Sequence, residues 1–322
     1  MAKTRGSSPL PDMDAMMALV QSFEALAAKD VRLAGAALEE VLRLVPGKRA
    51  ILSGRFGKRP AIFRFYIEHA EEYATRDWAE LQRTERYMSE GDFQVNRPLA
   101  HVPDLGLVVV ERVPGQPLME VIRATGGAHR ADFLPPAAAW LRKYTAPSEE
   151  LTEVRLDGWF KRIGRGMARQ RNGGLRRAEE AVLAELQRIS APHEAGRWRV
   201  AISHGDFHPN NLLAVGPRLK GIDTGGSAKL PIYKDMARFL SHMARRGLIP
   251  SGEARFGVDA RGIDAFAGAF ALNEVERNIW LPFMLGVEVL IRIEAKRLPA
   301  GRIRKAEAFY DTLLNGLRDI RP

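Results

Sequence analysis

No cysteine occurs among the 322 residues. Disulfide frameworks, thiol nucleophiles, iron–sulfur clusters and cysteine-based zinc sites are therefore excluded, and a cytoplasmic location fits. Long hydrophobic runs are missing too. The best apolar stretch, Ile279 to Ile293, contains Pro282 and Glu288. It falls short of the roughly 20 apolar residues that a bilayer-crossing helix needs. The opening residues MAKTRGSSPLPDMD carry no apolar core behind their basic side chains. They read as a flexible lead-in over residues 1–12 rather than a secretory signal. Lysine is scarce: 11 of the 49 basic residues are Lys and 38 are Arg, and no Lys occurs between residues 59 and 142. Internal repeats and low-complexity tracts are absent.

What remains is an ordinary globular composition, 46% hydrophobic and 27% charged, with a net charge of +10. That is enough apolar mass for one large domain or two lobes. The basic excess is spread along the chain, which describes a solvated surface holding phosphate-handling sites. One segment stands out. Lys161–Arg177 (KRIGRGMARQRNGGLRR) holds seven basic residues and no acid. It lacks interleaved aromatics for base stacking, and Gly173-Gly174 interrupts any long amphipathic helix. No nucleic-acid partner is expected, and the segment reads as a solvated, lid-like insertion.

Apolar spacing at Met16, Leu19, Val20, Phe23 and Leu26 predicts an amphipathic helix over residues 13–30. Short β-rich runs follow at Val41–Leu44, Ala50–Phe56 and Ala61–Tyr66, separated by Pro46-Gly47-Lys48 and Gly57-Lys58-Arg59-Pro60. They predict a small antiparallel sheet with tight turns. A charged helix over Glu68–Glu90 and a strand pair at Asn96–Ala100 and Leu105–Glu111 come next. From about Leu118 the chain reads as helix, broken by strand-like runs near Val200–His204, Leu212–Val215 and Leu219–Ile222. One or two long helices close it. The expected organisation is a sheet-rich unit over 1–112 and a helix-rich unit over 113–322.

The chemistry lies in Ser203-His204-Gly205-Asp206-Phe207-His208-Pro209-Asn210-Asn211, followed by Ile222-Asp223-Thr224-Gly225-Gly226. Asp206 and Asn211 are five residues apart on a turn, and Asp223 follows seventeen residues after Asp206. Phosphoryl transfer uses these groups: a carboxylate to accept the acceptor's hydroxyl proton, and hard oxygen ligands for Mg²⁺ on nucleotide phosphates. The Asp-Thr-Gly turn also occurs in aspartic proteases, but a single-chain member needs a second copy in an all-β body. A binuclear metallophosphoesterase needs more His and Asp ligands than His69, His101, His129, His193 and His242 supply.

His204-Gly-Asp206-x4-Asn211 and Ile222-Asp223 resemble the catalytic and metal loops of the aminoglycoside phosphotransferase/choline kinase family. Val108-Val-Val-Glu111-Arg-Val113-Pro-Gly115 is similar to that family's strand-to-hinge segment. Lys234-Asp235-Met-Ala237 falls where the family has an Asp that braces the catalytic loop. The resemblance implies an α+β, two-lobed, protein-kinase-like fold with a small antiparallel-sheet first lobe and a mostly helical second lobe. It implies transfer of the γ-phosphoryl group of ATP (or GTP) to a hydroxyl of a small molecule.

By the same resemblance Asp206 is the base, Asn211 and Asp223 bind Mg²⁺, His204 orients the loop, and His208 approaches the transferred group. Glu111 and Val113 would lie at the adenine edge. The family's phosphate-gripping strand Lys is absent here. Arg64 is its candidate replacement, with Glu85 or Glu80 as helix partner, and Lys48 in the turn is a further phosphate contact. The basic segment 161–177 would then cover the substrate cleft. Basic side chains outnumber acidic ones between residues 150 and 200, which disfavours polycationic acceptors and favours a sugar or another neutral or anionic one. An aminoglycoside or choline/ethanolamine kinase, and a non-catalytic nucleotide-binding module, are the alternatives.

Overall fold

A computed structural model describes residues 13–225, 228–293 and 299–321. The lead-in 1–12 and part of the Asp-Thr-Gly-Gly turn (226–227) lie outside the described residues. The chain divides into two compact units, with the break between Pro114 and Gly115.

In the first unit, helix α1 (Met13–Ala27) precedes strands β1 (Ala36–Val45), β2 (Arg49–Phe56) and β3 (Arg59–Tyr66). Two tight turns join the strands, and Gly47 and Gly57 take φ of 68° and 60° there, which glycine adopts without steric cost. Helix α2 (Ala70–Met88), the short β4 (Phe93–Val95), β5 (Pro98–Val102) and β6 (Leu107–Glu111) complete the unit. The five-stranded sheet runs β1-β2-β3-β6-β5, with every neighbouring pair antiparallel.

Alternation along β3 decides where its residues go. Phe63 and Phe65 face one side, where Phe23 of α1 meets them edge-on at 5.5 and 5.9 Å. Each such aromatic pair adds about 1 kcal/mol beyond its buried area. Ile62 and Tyr66 face the other side, against Ala74 and Leu81 of α2. Arg64 shares that period and so lies on the α2 side.

The second unit opens with β7 (Gln116–Pro117), α3 (Leu118–Ala124) and α4 (Leu134–Thr145). Then come β8 (Glu150–Glu153), α5 (Asp157–Met167), α6 (Gly173–Ser190), β9 (Arg197–Ser203), β10 (Leu212–Val215), β11 (Arg218–Gly221) and β12 (Ala228–Pro231). Helix α7 (Tyr233–Ala244), a two-residue hairpin β13 (Ala254–Arg255) and β14 (Val258–Asp259), α8 (Ala260–Ala269), α9 (Leu281–Ile291) and α10 (Ala300–Arg318) finish it. Strand β9 is flanked by β8 and β12, and β10 pairs with both β11 and β7. The sequence signalled β9, β10 and β11 but neither β8 nor β12. These edge strands read Glu-Leu-Thr-Glu and Ala-Lys-Leu-Pro, too short and too polar to show an apolar period.

The apolar stretch before Ile293 is explained by α9, whose residues Leu281–Leu290 are all buried. It packs against α5, α6 and α7. Among the described residues no helix is long and apolar enough to cross a membrane. The basic segment 161–177 departs from the lid expected of it. Its first part is the end of α5, where Ile163 and Gly166 are buried and Gly166 abuts the Leu290 carbonyl so closely that a Cβ would lie 2.3 Å away. Its last part is the first turn of α6, capped by Asn172 Oδ1 accepting from the Leu175 N–H at 3.1 Å. One face of the segment is apolar and belongs to the helical body; only the other face carries the arginines.

Candidate active site

The turn after β9 is held from below by one carboxylate. Asp235, fully buried on the first turn of α7, accepts the backbone N–H of His204 at 2.7 Å and of Gly205 at 3.1 Å. Gly205 has φ of 82°, a left-handed conformation that lets both successive N–H groups meet the same carboxylate. Burial pushes the Asp235 carboxyl up, against the opposing charges of Lys234 and His204 and the two backbone bonds.

Phe207 anchors the turn from the side. It is buried, stacked on Trp140 at 5.6 Å and on Phe239 at 5.1 Å. Trp140 in turn covers Gly221, where a Cβ would meet its ring at 2.0 Å.

Asn211 and Asp223 come together through the β10–β11 hairpin. The Ile222 N–H donates to the Asn211 carbonyl at 3.0 Å, extending the ladder so that the two residues stand at neighbouring strand ends. Asn211 Nδ2 donates to the Asp206 carbonyl at 3.0 Å, which turns the amide oxygen, Oδ1, away from that bond. Asp223 has φ of 61°, a conformation costing about 1–3 kcal/mol outside glycine and typical of functional positions. His204 is buried, and its Nε2 lies 3.0 Å from the Ile222 carbonyl. It ties the two loops together and is enclosed by Trp140, Tyr144 and Phe207.

Asp206 is surrounded by cations. Its Oδ1 accepts from Arg238 Nε at 2.9 Å and Arg292 Nη2 at 3.2 Å, and its Oδ2 lies 3.4 Å from His208 Nε2. Burial alone would raise this carboxyl. The His208 contact and the charges of Arg238 and Arg292 overcome it and hold the group well below the usual carboxylate range. Behind it sits Glu288 of α9, buried, with Arg292 Nε at 2.5 Å, Lys234 Nζ at 3.3 Å and Arg238 Nε at 3.6 Å. His208 stacks on His242 with ring centroids 4.2 Å apart. Burial, then the charges of His208, Arg246 and Arg238, push the His242 imidazole down to about 2, so it is neutral at ordinary pH.

The sequence reading named Asp206, Asn211, Asp223, His204, His208 and Asp235, and all six belong to this one site. Arg238 and Arg292 were missed, and Lys234, His242 and Glu288, though named, were given no role here. Arg238 and His242 follow Asp235 by three and seven residues, one helical face. Glu288 and Arg292 form an i,i+4 pair in an otherwise apolar run, and that misplaced acid was the readable signal.

In the first unit Arg64 is buried, and its Nη1 donates to both Asp77 oxygens at 3.2 and 3.1 Å. Tyr66 donates to the same carboxylate at 2.8 Å. The helix partner named from sequence is thereby corrected. Of the two acids buried on α2, Asp77 and Glu80, it is Asp77 that accepts from Arg64. Glu85 is turned outward to Arg97 at 3.6 Å, and Glu80 binds Arg83 at 2.6 Å. Lys48 is exposed in the β1–β2 turn. It lies at the same end of the sheet as Arg64, whose register partner is Ile51. Glu111 accepts the Arg97 N–H at 3.0 Å, and Val113 lies in the irregular stretch after β6.

A sheet followed by a helical unit is found in solved structures. One is the amicoumacin kinase hAmiN in complex with AMP-PNP, Ca²⁺ and Ami (TM-score 0.60, 14% identity, 94% of this chain and 96% of that one). Another is a choline/ethanolamine kinase family protein from Mesorhizobium loti (TM-score 0.58, 17% identity, 93% of this chain and 99% of that one). A third is aminoglycoside phosphotransferase APH(4)-Ia (TM-score 0.54, 15% identity, 93% of this chain and 99% of that one). The chain has the kinase-like fold of these proteins. No protein-family model matches the sequence, and no curated protein matches it either. At these identities the likeness concerns the fold. Within that kinase-like fold the turn from His204 to Asn211 and the strand end at Asp223 occupy the second unit, and the Arg64–Asp77 pair the first.

The donor set suits a hard divalent cation. Asn211 Oδ1 and the Asp223 carboxylate supply two oxygens, and among the described residues no cluster of three or more His, Asp or Glu forms an all-protein metal cage. Magnesium bound to a nucleotide takes one or two protein oxygens and fills its other positions with phosphates and water. The residues fit it.

Proposed function

We propose that the protein is a small-molecule kinase that transfers the γ-phosphoryl group of ATP to a hydroxyl of its acceptor. The observation that carries this reading is the pinned turn. One buried carboxylate, Asp235, fixes the backbone that presents Asp206, while a strand pair sets Asn211 and Asp223 side by side. The hAmiN structure, of the same fold, was solved with a nucleotide analogue and a divalent cation.

Magnesium, held by Asn211 and Asp223, would neutralise phosphate charge. Arg64, oriented by Asp77, would bind nucleotide phosphates, with Lys48 beside them. Asp206 Oδ2 would accept the hydroxyl proton as the acceptor oxygen forms its bond to the γ-phosphorus. The bond from that phosphorus to the bridging oxygen breaks, and ADP leaves with the electron pair. A depressed carboxyl is a weak base, and this reaction asks little of it: the transition state is loose, so positioning and charge compensation dominate. Arg238 and Arg292 hold Asp206 in place, and His208 stands ready to donate to a phosphoryl oxygen.

A non-catalytic nucleotide-binding module is the second reading, favoured by the ion pairs that occupy Asp206. The two separate in one experiment, release of ADP from Mg·ATP across a broad acceptor panel. The kinase reading expects at least one acceptor to stimulate release, and expects Asp206→Ala to lower that rate about 10³-fold or more while Mg·ATP binding persists. Turnover unchanged in Asp206→Ala refutes it.

A further inference from the structure

The second unit also holds a cavity of about 690 Å³ with walls of one sign. Arg123 comes from α3, Arg245 and Arg246 from the end of α7, Arg302 and Lys305 from the start of α10, and Phe309 closes one side. Among the described residues no acidic side chain lines it. A larger cavity beside β8 and β12 has mixed walls, with Glu150, Glu153 and Asp157 facing Arg155, Arg162 and Lys229. The single sign therefore belongs to this cavity and is not a general property of the Arg-rich surface. Burial and the charges of Arg238, Arg123, Arg245 and Arg302 push the Arg246 guanidinium below its ordinary range. These cations repel one another, and a bound anion relieves that repulsion.

The cavity is wired to the candidate active site. Arg245 Nη1 donates to the backbone carbonyl of Arg292, whose own guanidinium holds Asp206. Arg246 Nη1 donates to the His242 carbonyl at 3.1 Å, and the His242 ring stacks on His208. Arg238 of α7 at Asp206 and Arg246, two residues past the end of α7, at the cavity are eight residues apart, about 12 Å at a helical rise of 1.5 Å per residue.

We propose that this cavity binds a phosphate group already present on the acceptor, so that the substrate is a small phosphomonoester with a free hydroxyl. The word acceptor rests on the kinase reading above; the anion site does not. Guanidinium forks match a phosphate dianion bidentately. The recessed shape and the apolar wall at Phe309 and Val289 suit a small molecule.

The test is calorimetry on the nucleotide-free full chain. Probes are inorganic phosphate, glycerol 3-phosphate, ribose 5-phosphate and glucose 6-phosphate, with glycerol, ribose, glucose, choline and glucosamine as uncharged or cationic counterparts. At least one phosphorylated probe should bind about tenfold or more tightly than its counterpart. That affinity should drop about tenfold in Arg246→Gln and again in Lys305→Gln, two exposed positions whose variants should keep the wild-type melting temperature. Failure of every phosphorylated probe to bind at millimolar concentration overturns the proposal. So does equal or tighter binding of the neutral or cationic compounds, or phosphomonoester affinity that ignores both substitutions. Mg·ATP binding with ADP release stimulated only by neutral or cationic acceptors overturns this proposal alone. Phosphomonoester binding without Mg·ATP binding overturns the kinase reading and leaves the anion site standing.

Discussion

Replacing Asp235 by Asn keeps the shape of the side chain and removes what the turn depends on. The carboxylate now accepts two backbone N–H groups, from His204 at 2.7 Å and Gly205 at 3.1 Å. An amide has one oxygen, so one N–H stays satisfied and the other faces an NH₂ donor. A charge-assisted hydrogen bond is worth about 1.5–3 kcal/mol, and a buried N–H left unpaired costs about 1–3 kcal/mol more. Against this, Asn need not bury a charge, and the raised Asp235 carboxyl shows that burial opposes the ionised form. The net loss should be about 2 kcal/mol. Spread over the local opening of the turn, that is about a thirtyfold faster amide exchange at His204 and Gly205. For a unit of this size it lowers the melting temperature by about 4–8 °C. Native-state hydrogen exchange reads the first number and needs no knowledge of the acceptor. Phosphoryl transfer, once an acceptor is in hand, should fall about a hundredfold through misplacement of Asp206. Exchange at His204 and Gly205 within threefold of the wild type would refute the claim that Asp235 pins this turn.

Other expectations are equally direct. The unfolded chain protonates His242 near 6.5 while the native ring does so only near 2. Stability is thus whole above pH 6.5 and falls below it by about 1.4 kcal/mol per unit. His242→Phe should flatten that slope in urea unfolding between pH 7.5 and 5.5, and parallel slopes would contradict the assignment. Gly221→Ala should cost about 2–4 kcal/mol, because its Cβ would sit 2.0 Å from the Trp140 ring that stacks on Phe207. Gly127→Ala, which meets nothing within 4 Å, should stay within about 0.5 kcal/mol in the same denaturation series. Arg64→Ala should weaken Mg·ATP binding and destabilise the first unit by about 3–5 kcal/mol, because Asp77 stays buried without its guanidinium. Unchanged nucleotide affinity in a folded Arg64→Ala protein would remove Arg64 from the phosphate site.

Much of the fold can be read from the chain, and the reasons are local. Short β-rich runs marked β2 and β3, and the turn chemistry of Pro46-Gly47 and Gly57 marked where they are bounded. The Asp206–Asn211 spacing pointed to the turn because that chemistry depends on residues close in sequence. What escaped depends on tertiary phase. Nothing in Arg83-Thr84-Glu85 or Asp77-Trp78 tells which α2 acid faces β3 until the helix is docked on the sheet. Arg292 and Glu288 lie more than eighty residues from Asp206, and only the packing of α7 against α9 brings them to it. Asp77 and Glu288 belong to one kind: acids whose partners are chosen by the fold and not by the neighbouring sequence.

Helix α9 is the scaffold on which the counter-ions of Asp206 are mounted. Its Glu288 holds Arg238 and Arg292 against Asp206, while its Gly286 and Leu290 fit against Leu186 of α6 and Gly166 of α5. A repacking mutation on those far faces would slide the helix and change the electrostatic field at Asp206 without touching a polar atom. Hydrophobic substitutions in this interior are therefore levers on the charge balance around Asp206, and libraries built to stabilise the protein there would be sampling that balance at the same time.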